Sequence, residues 1–385
     1  MKILYIRSDT YDITPAIPRG LKAAESVFNE SIVLCWNRGD TKPRSIDTKQ
    51  TNLFIFKKTT KHKSLYNLII TLHFQFWAFK KMMQYDYDVI QALDIESMLP
   101  AAFASLIRRK KLIYDIRDPI AMDMKSPSHL LNINGSIIGN ILDKCIYGVD
   151  WLLMSFSSGY ILPNKLLIKY LGRWGRNTQK ILSIPNTCDD YYQELENSKL
   201  KLINQSPKVL RLAYLGCMGN DRGSKFLIEF CNKNIGSVEL LIAGIVRDRN
   251  DLINFENTPN IIYLGQLNYI EALSLIKQVD ALPILYNPNV KLHKMLYPTK
   301  FYESMMVGTP VLVSKGMTAL EEEVISKKVG YVIDYGDVVQ LKDALEKIKF
   351  NEDKLTSNCR KYYLRELQLS QFLINYRNFY RSISN

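Results

Sequence analysis

The sequence predicts an α/β fold built as two Rossmann-like domains, and three observations carry that expectation. Short β-rich runs alternate with helix-length stretches along nearly the whole chain, the pattern of parallel sheets wound with helices. The runs fall into two sets of six, separated by a polar interruption near residues 184–210. The length of 385 residues, 47% of them apolar, suits two domains, each burying its own core.

In the first half the expected strands are residues 3–6, 31–36, 52–56, 89–92, 112–116 and 151–155. In the second half they are residues 211–215, 238–243, 261–264, 281–285, 311–313 and 330–332. Pro185-Asn186 and the polar stretch 193–205 mark the junction. The expected division is a first domain over 1–185 and a second over 186–360, with a helical tail over 361–385 that packs back on the first domain. Met1 leads straight into Lys2-Ile3-Leu4-Tyr5-Ile6, which reads as a strand and not as a signal peptide. The longest uncharged apolar stretch, 64–79, contains Asn67, Thr71, His73 and Gln75 and is too short and too polar to span a bilayer.

Six scattered cysteines with no C-x-x-C pair argue against a cysteine-rich zinc site and fit a reducing, cytoplasmic compartment. The net charge is +13 and unevenly placed. Residues 1–185 hold 26 Lys/Arg against 15 Asp/Glu, and residues 186–385 hold 25 against 23. The first half is therefore expected to meet something anionic: nucleic acid, an acidic membrane surface or a phosphorylated substrate. The loop after the first strand, Ser8 to Pro15, has no glycine before Gly20. That excludes the G-x-G-x-x-G of an NAD or FAD binder, and no P-loop motif occurs either.

The chemistry concentrates in residues 296–313. Pro298 suits the start of a helix, Gly308 its end, and Pro310 stops it before the next strand. Lys300 and Glu303 lie three apart, on one face near the helix start. Free N–H groups there, with Lys300, favour a phosphate, and Glu303 could accept two hydrogen bonds from a ribose diol. A nucleoside diphosphate fits this better than a lone phosphate; an ordinary surface ion pair is the alternative.

At this segment the sequence resembles the donor-site motif of GT-B glycosyltransferases, in particular the family 4 group, whose pattern is P-x-K-x-x-E-x-x-x-x-G-x-P-V. Pro298, Lys300, Glu303, Gly308, Pro310 and Val311 match every fixed position. Pro185-Asn186-Thr187-Cys188-Asp189 is similar to the family's interdomain turn, and Tyr214-Leu215-Gly216 to its phosphate-side loop. Leu241-Ile242-Ala243-Gly244 and Leu264-Gly265 are similar to its next two strand ends. The resemblance implies two Rossmann-like domains facing a cleft. It implies a donor set of Gly216, Gly219, Arg222, Gly244, Gly265, Pro298, Thr299, Lys300 and Glu303, and transfer from a nucleotide-diphosphate sugar with retention. A lipid-linked or polysaccharide acceptor is expected, with no cofactor and no metal.

Departures from the pattern bear on catalysis. The first glutamate of the family's E-x7-E is Met295, and Cys217 stands where an arginine often follows the glycine, a charge that Arg222 can supply. The H-x-H after the fourth strand is Gln91-Ala92-Leu93. What remains at the ends of first-domain strands is Asp94, Asp115, Arg117 and Asp118. Asp94 or Asp118 could take the acceptor's proton and Arg117 could bind an anionic group, with loop capping the alternative for both aspartates. For Asp115, capping is favoured over catalysis. Asp86-Tyr87-Asp88 looks like a metal-binding D-x-D but precedes its strand, and His62, His73, His129 and His293 are scattered.

Residues 64–83 form a helix candidate with two apolar stripes. Leu65, Leu68, Leu72, Phe76, Phe79 and Met83 are expected on the sheet. Tyr66, Ile70, Phe74 and Trp77, with Lys80 and Lys81, are expected to face an anionic membrane, peripheral on the cytoplasmic side; burial on both sides is the alternative. Three other functions compete: an inactive GT-B-like binding module, a sugar-nucleotide epimerase on the same fold, and a nucleic-acid binder. The last ranks lowest for want of an aromatic recognition platform.

Overall fold

The computed structural model describes residues 1–10, 15–38, 50–59, 66–117, 119, 136–198, 200, 209–216, 218–246, 255 and 258–384. The chain divides into two compact units, Met1–Asn186 with Ser370–Asn385, and Thr187–Leu369.

The first unit is a seven-stranded parallel sheet. Its strands are β1 (Lys2–Arg7), β2 (Glu30–Asn37), β3 (Thr51–Lys57), β4 (Val89–Leu93), β5 (Lys111–Asp115), β6 (Gly159–Leu162) and β7 (Ile181–Ser183). They lie in the order β3-β2-β1-β4-β5-β6-β7. The central strands β1, β2 and β4 are buried on both faces, so they read as continuous apolar runs without alternation. The order reverses between β1 and β4, the switch point at which ligands of such sheets bind.

The connecting helices are α1 (Ala16–Ala24), α2 (Tyr66–Gln84), α3 (Asp94–Arg108) and α4 (Ile137–Met154). The chain steps one way from β1 to β3 and the other way from β3 to β6. Right-handed crossovers therefore put α1 on one face and α2, α3 and α4 on the other.

Three expectations change here. Residues 151–155 are not a strand: Trp151 to Met154 form the last turn of α4, and the sixth strand is β6. An apolar run of that length fits a buried strand or a helix end equally. The returning tail begins at Ser370, not at 361, because the preceding helix belongs to the second unit. In α2 the two stripes exchange places. Ile70, Phe74, Ala78 and Met82 are buried, while Leu72, Phe76 and Met83 are exposed. Phe74 stacks on Trp36 at 5.4 Å, and Trp77 lies 5.5 Å from Phe56. Lys81 folds over the Phe54 ring at 5.0 Å, leaving Tyr66 and Lys80 as the outward residues of the expected membrane set. Both stripes are apolar and both carry rings; Phe74 and Trp77 are the rings that meet Trp36 and Phe56 of β2 and β3, and Phe79 of the other stripe is half-buried. Leu65 lies outside the described residues.

The second unit is wound the same way. Its strands are β8 (Leu210–Leu215), β9 (Val238–Ala243), β10 (Ile261–Tyr263), β11 (Leu282–Ile284), β12 (Val311–Ser314) and β13 (Gly330–Ile333). They run β10-β9-β8 and β11-β12-β13, joined by a parallel bridge from Leu212 to Ala281. The helices are α5 (Ser224–Lys233), α6 (Tyr269–Lys277), α7 (Thr299–Val307), α8 (Thr318–Lys327), α9 (Val338–Phe350) and α10 (Glu352–Tyr362). Helix α10 packs on α7. Thr187 donates from its hydroxyl to Leu367 O at 2.5 Å, and Tyr363 donates to Cys188 O at 2.9 Å. The two places where the chain enters and leaves this unit are thus clamped together. Helix α11 (Ser370–Ser384) then rejoins the first unit beside α1.

Candidate functional site

In the second unit the predicted donor residues gather at the carboxyl ends of β8, β9 and β10. Gly216 ends β8 with φ +100° and donates its N–H to Ala243 O at 2.8 Å. Gly244 follows β9 with φ +139° and donates to Gly265 O at 2.8 Å. A Cβ on Gly244 would run into the Gly216 carbonyl, so this close crossing of loops needs glycine. Gly219 precedes a 3₁₀ turn, Asn220–Arg222, that leads through Gly223 (φ +73°) into α5. The Gly219 carbonyl accepts from Arg222 N at 2.9 Å and from Ser224 Oγ at 3.1 Å, which sets the start of α5 beside the end of β8.

Helix α7 supplies the cation. Pro298 is its N-cap, extended at ψ 142°, and Thr299 its first residue. Proline brings no side-chain acceptor to the first-turn N–H groups, and the Phe301 N–H turns back to Pro298 O at 2.9 Å. Gly308 closes the helix in the left-handed conformation at φ +89°. Lys300 extends over the end of β8: its Nζ lies 5.2 Å from the centre of the Tyr214 ring and 3.4 Å from where a Cβ on Gly216 would stand. The Glu303 carboxylate acts electrostatically on Cys188 and Tyr269. Burial is the main cause that pushes the Cys188 thiol up to about 12, and the Glu303 charge adds to it.

Asp221, Tyr286 and His293, to which the sequence reading gave no role here, complete this corner beside the expected Arg222. The Arg222 guanidinium lies 5.6 Å from the Tyr286 ring, and Asp221 is shared between Arg222 Nε at 3.8 Å and His293 Nε2 at 3.5 Å. His293 is buried, with Nδ1 2.9 Å from Asn287 O. Tyr214 and Tyr286 flank the switch point between β8 and β11. Their positions just inside and just past a strand end were the available signal; His293, tied to a backbone carbonyl, left none.

In the first unit a buried polar cluster forms at the carboxyl ends of β1, β4 and β5. Arg7, Arg19, Gln91, Asp115 and Arg117 are all buried. Asp115 Oδ2 accepts from Gln91 Nε2 at 2.8 Å and from Arg117 Nη2 at 2.7 Å. Arg117 Nη1 donates to Asn186 Oδ1 at 2.9 Å, so its guanidinium spans Asp115 and Asn186. Asp94 opens α3 in the left-handed region at φ +62°, and its Oδ1 accepts the Arg117 backbone N–H at 3.2 Å. Aspartate tolerates that conformation better than most residues. The cluster thus brings Asp94 and Arg117 together; Asp118 lies outside the described residues.

Burial pushes the Asp115 carboxyl up to about 7, with Arg19 pulling it down and Asp94 pushing it up. At the opposite end of β4, Asp88 accepts the Lys2 backbone N–H at 2.9 Å, and Asp86 and Asp88 pair with Lys110 at 3.7 Å and 3.4 Å. That end is remote from the crevice where α/β ligands bind.

Residues 198–364 match the family described as glycosyl transferases group 1. No curated protein sequence matches the chain. Among solved structures, the sucrose-phosphate synthase of Thermosynechococcus elongatus superposes with a TM-score of 0.72 at 14% identity, over 100% of this chain and 99% of that one. HepE of Anabaena, solved with UDP-glucose, gives 0.67 at 15% identity over 99% of this chain and 100% of that one. The lipopolysaccharide outer core galactosyltransferase WaaB in its apo form gives 0.56 at 14% identity over 99% and 100%. The chain therefore has the GT-B fold, and the match to glycosyl transferases group 1 falls within its second unit.

Proposed function

We propose that this chain transfers a sugar from a nucleotide-diphosphate sugar to a lipid-linked or polysaccharide acceptor, with retention at the sugar carbon. The observation that carries the donor half is Lys300 lying over the end of β8, against Tyr214 and Gly216, from the first turn of α7. In this reading the diphosphate meets the N–H groups at the start of α7 together with Lys300 and Arg222, and Glu303 takes the ribose diol. The UDP-glucose complex of the structurally similar HepE supports a uridine donor.

The reaction breaks the bond from the sugar carbon to the diphosphate oxygen and forms one to the acceptor oxygen. The acceptor's proton passes to the departing diphosphate, whose growing charge Lys300 and Arg222 offset in place of a metal. Arg117 holds Asp115 and Asn186, and its backbone N–H orients Asp94, which positions the acceptor hydroxyl. The name of WaaB, a lipopolysaccharide outer core galactosyltransferase, supports the glycolipid side of this assignment.

The test is a calorimetric screen of UDP, GDP, ADP and their common sugars, followed by product analysis in excess EDTA. Tight binding of one nucleoside diphosphate and transfer that survives EDTA are expected. Interconversion of the sugar nucleotide without transfer would assign an epimerase instead. Loss of activity in EDTA with rescue by Mn²⁺ would overturn the metal-free assignment.

A further inference from the structure

Helices α2, α3 and α4 lie side by side on one face of the first sheet, with α3 packed against both neighbours. Their inner sides make core: Phe74 and Met82 of α2, Met98 and Ala101 of α3, Leu153 of α4. Their outer sides should be polar if water covers them. They are apolar instead. Phe76 of α2 is 70% exposed, Phe103 of α3 56% and Ile138 of α4 67%. Leu72, Ile107 and Ile141 continue the same surface. Helix α2 contains no Asp or Glu, and α3 has none beyond Glu96. An apolar surface continued over three helices marks an interaction face.

The charge around it selects the partner. Lys57 and Lys58 lead toward α2, and Lys80 and Lys144 stand exposed on α2 and α4. Beside α4 runs the 3₁₀ segment Lys165–Arg176, with Lys165, Lys169, Arg173 and Arg176 exposed and the Arg173 guanidinium 4.1 Å from the Trp151 ring. A second copy of the chain would set this cationic margin against itself. Nucleic acid would leave the apolar centre without a partner. Among the described residues no helix is long and apolar enough to cross a membrane.

We infer that the outer face of α2, α3 and α4 seats on an anionic lipid bilayer, with Phe76, Phe103 and Ile138 entering the acyl boundary and the surrounding lysines and arginines meeting the headgroups. This does not rest on the donor assignment, since binding is measured without substrate. The expected membrane surface of α2 is thereby moved to its other side and extended over two further helices.

The experiment is co-sedimentation of the full chain with phosphatidylcholine vesicles and with vesicles containing one quarter phosphatidylglycerol, at low and high salt. Phe76→Asp with Phe103→Asp is the variant; both side chains are outward, and thermal melting checks its fold. Phe350→Asp, at an exposed position of the second unit, is the control. Wild type and control should bind the anionic vesicles at least tenfold better than the neutral ones, and the double variant should lose that binding. Equal binding by wild type and double variant would overturn the inference, as would no binding to either vesicle. A concentration-dependent dimer that the double variant dissolves would give the face to a second copy and overturn it as well.

Discussion

The Tyr380 hydroxyl donates to Gln91 Oε1 at 2.7 Å, joining residues 289 apart in sequence. Tyr5 adds its own hydroxyl at 2.9 Å from that of Tyr380, and Gln91 reaches on to Tyr376 and Asp115. Gln91 occupies the first position of the H-x-H pattern that the resemblance places after the fourth strand. Here that position is fully buried and anchors α11 to the centre of the sheet. Phe379 and Ile383 of the same helix lie so close to Gly159 that a Cβ there would be 2.7 Å from Ile383 Cδ1. Helix α11 is therefore part of the first unit's core.

Tyr380→Phe should destabilise the first unit by about 1–3 kcal/mol, because it leaves a buried amide oxygen without its donor while keeping the ring. Urea unfolding followed by a probe in the first unit measures this. An unchanged midpoint would mean that the hydroxyl contributes nothing and that α11 is held by its rings alone.

Asp115 makes stability depend on pH. Its carboxyl titrates near 3.8 in an unfolded chain and at about 7 in the fold. Between those values the folded state holds a proton that the unfolded state has released, so stability falls as pH rises through that window. Wild type should unfold at lower urea at about pH 8 than at about pH 5, and Asp115→Asn should flatten that difference. An equal pH dependence in the variant would show that Asp115 is ionised throughout, held so by Arg117.

How much of this was legible depends on how far apart the deciding partners lie. The apolar runs of β1, β4 and β12 announce themselves, because a strand buried on both faces needs no distant information. Pro298, Lys300 and Gly308 were likewise readable, since one short helix holds them in a fixed pattern. The buried face of α2 was not: Phe74 and Phe76 differ only in which one finds Trp36, a residue of another strand. Gln91 looked like a lost catalytic position because its partners, Tyr376 and Tyr380, come near the end of the chain. The tail boundary was misplaced for a related reason: Thr187 and Cys188 hold the residues up to Leu367 within the second unit.

Lys300 and Glu303 provide the sharpest test of the donor site because they meet different neighbours. Lys300 lies over Tyr214 and Gly216, where the diphosphate is proposed to sit, and the Glu303 charge acts on Cys188 and Tyr269, on the side proposed for the ribose. In the proposed site each contact is a charge-assisted hydrogen bond whose loss costs about 1.5–3 kcal/mol, so each alanine variant should weaken nucleoside diphosphate binding about tenfold or more. The two should also differ in kind. Lys300→Ala should narrow the gap between diphosphate and monophosphate, because only the diphosphate brings the charge that the ammonium meets. Glu303→Ala should preserve that gap while losing the preference for ribose over 2′-deoxyribose nucleotides. Calorimetric titration of four ligands into wild type and both variants reads all of this. Wild-type affinity in both variants would remove the donor site from α7, and identical losses on all four ligands would mean that the substitutions act on the helix and not on the nucleotide.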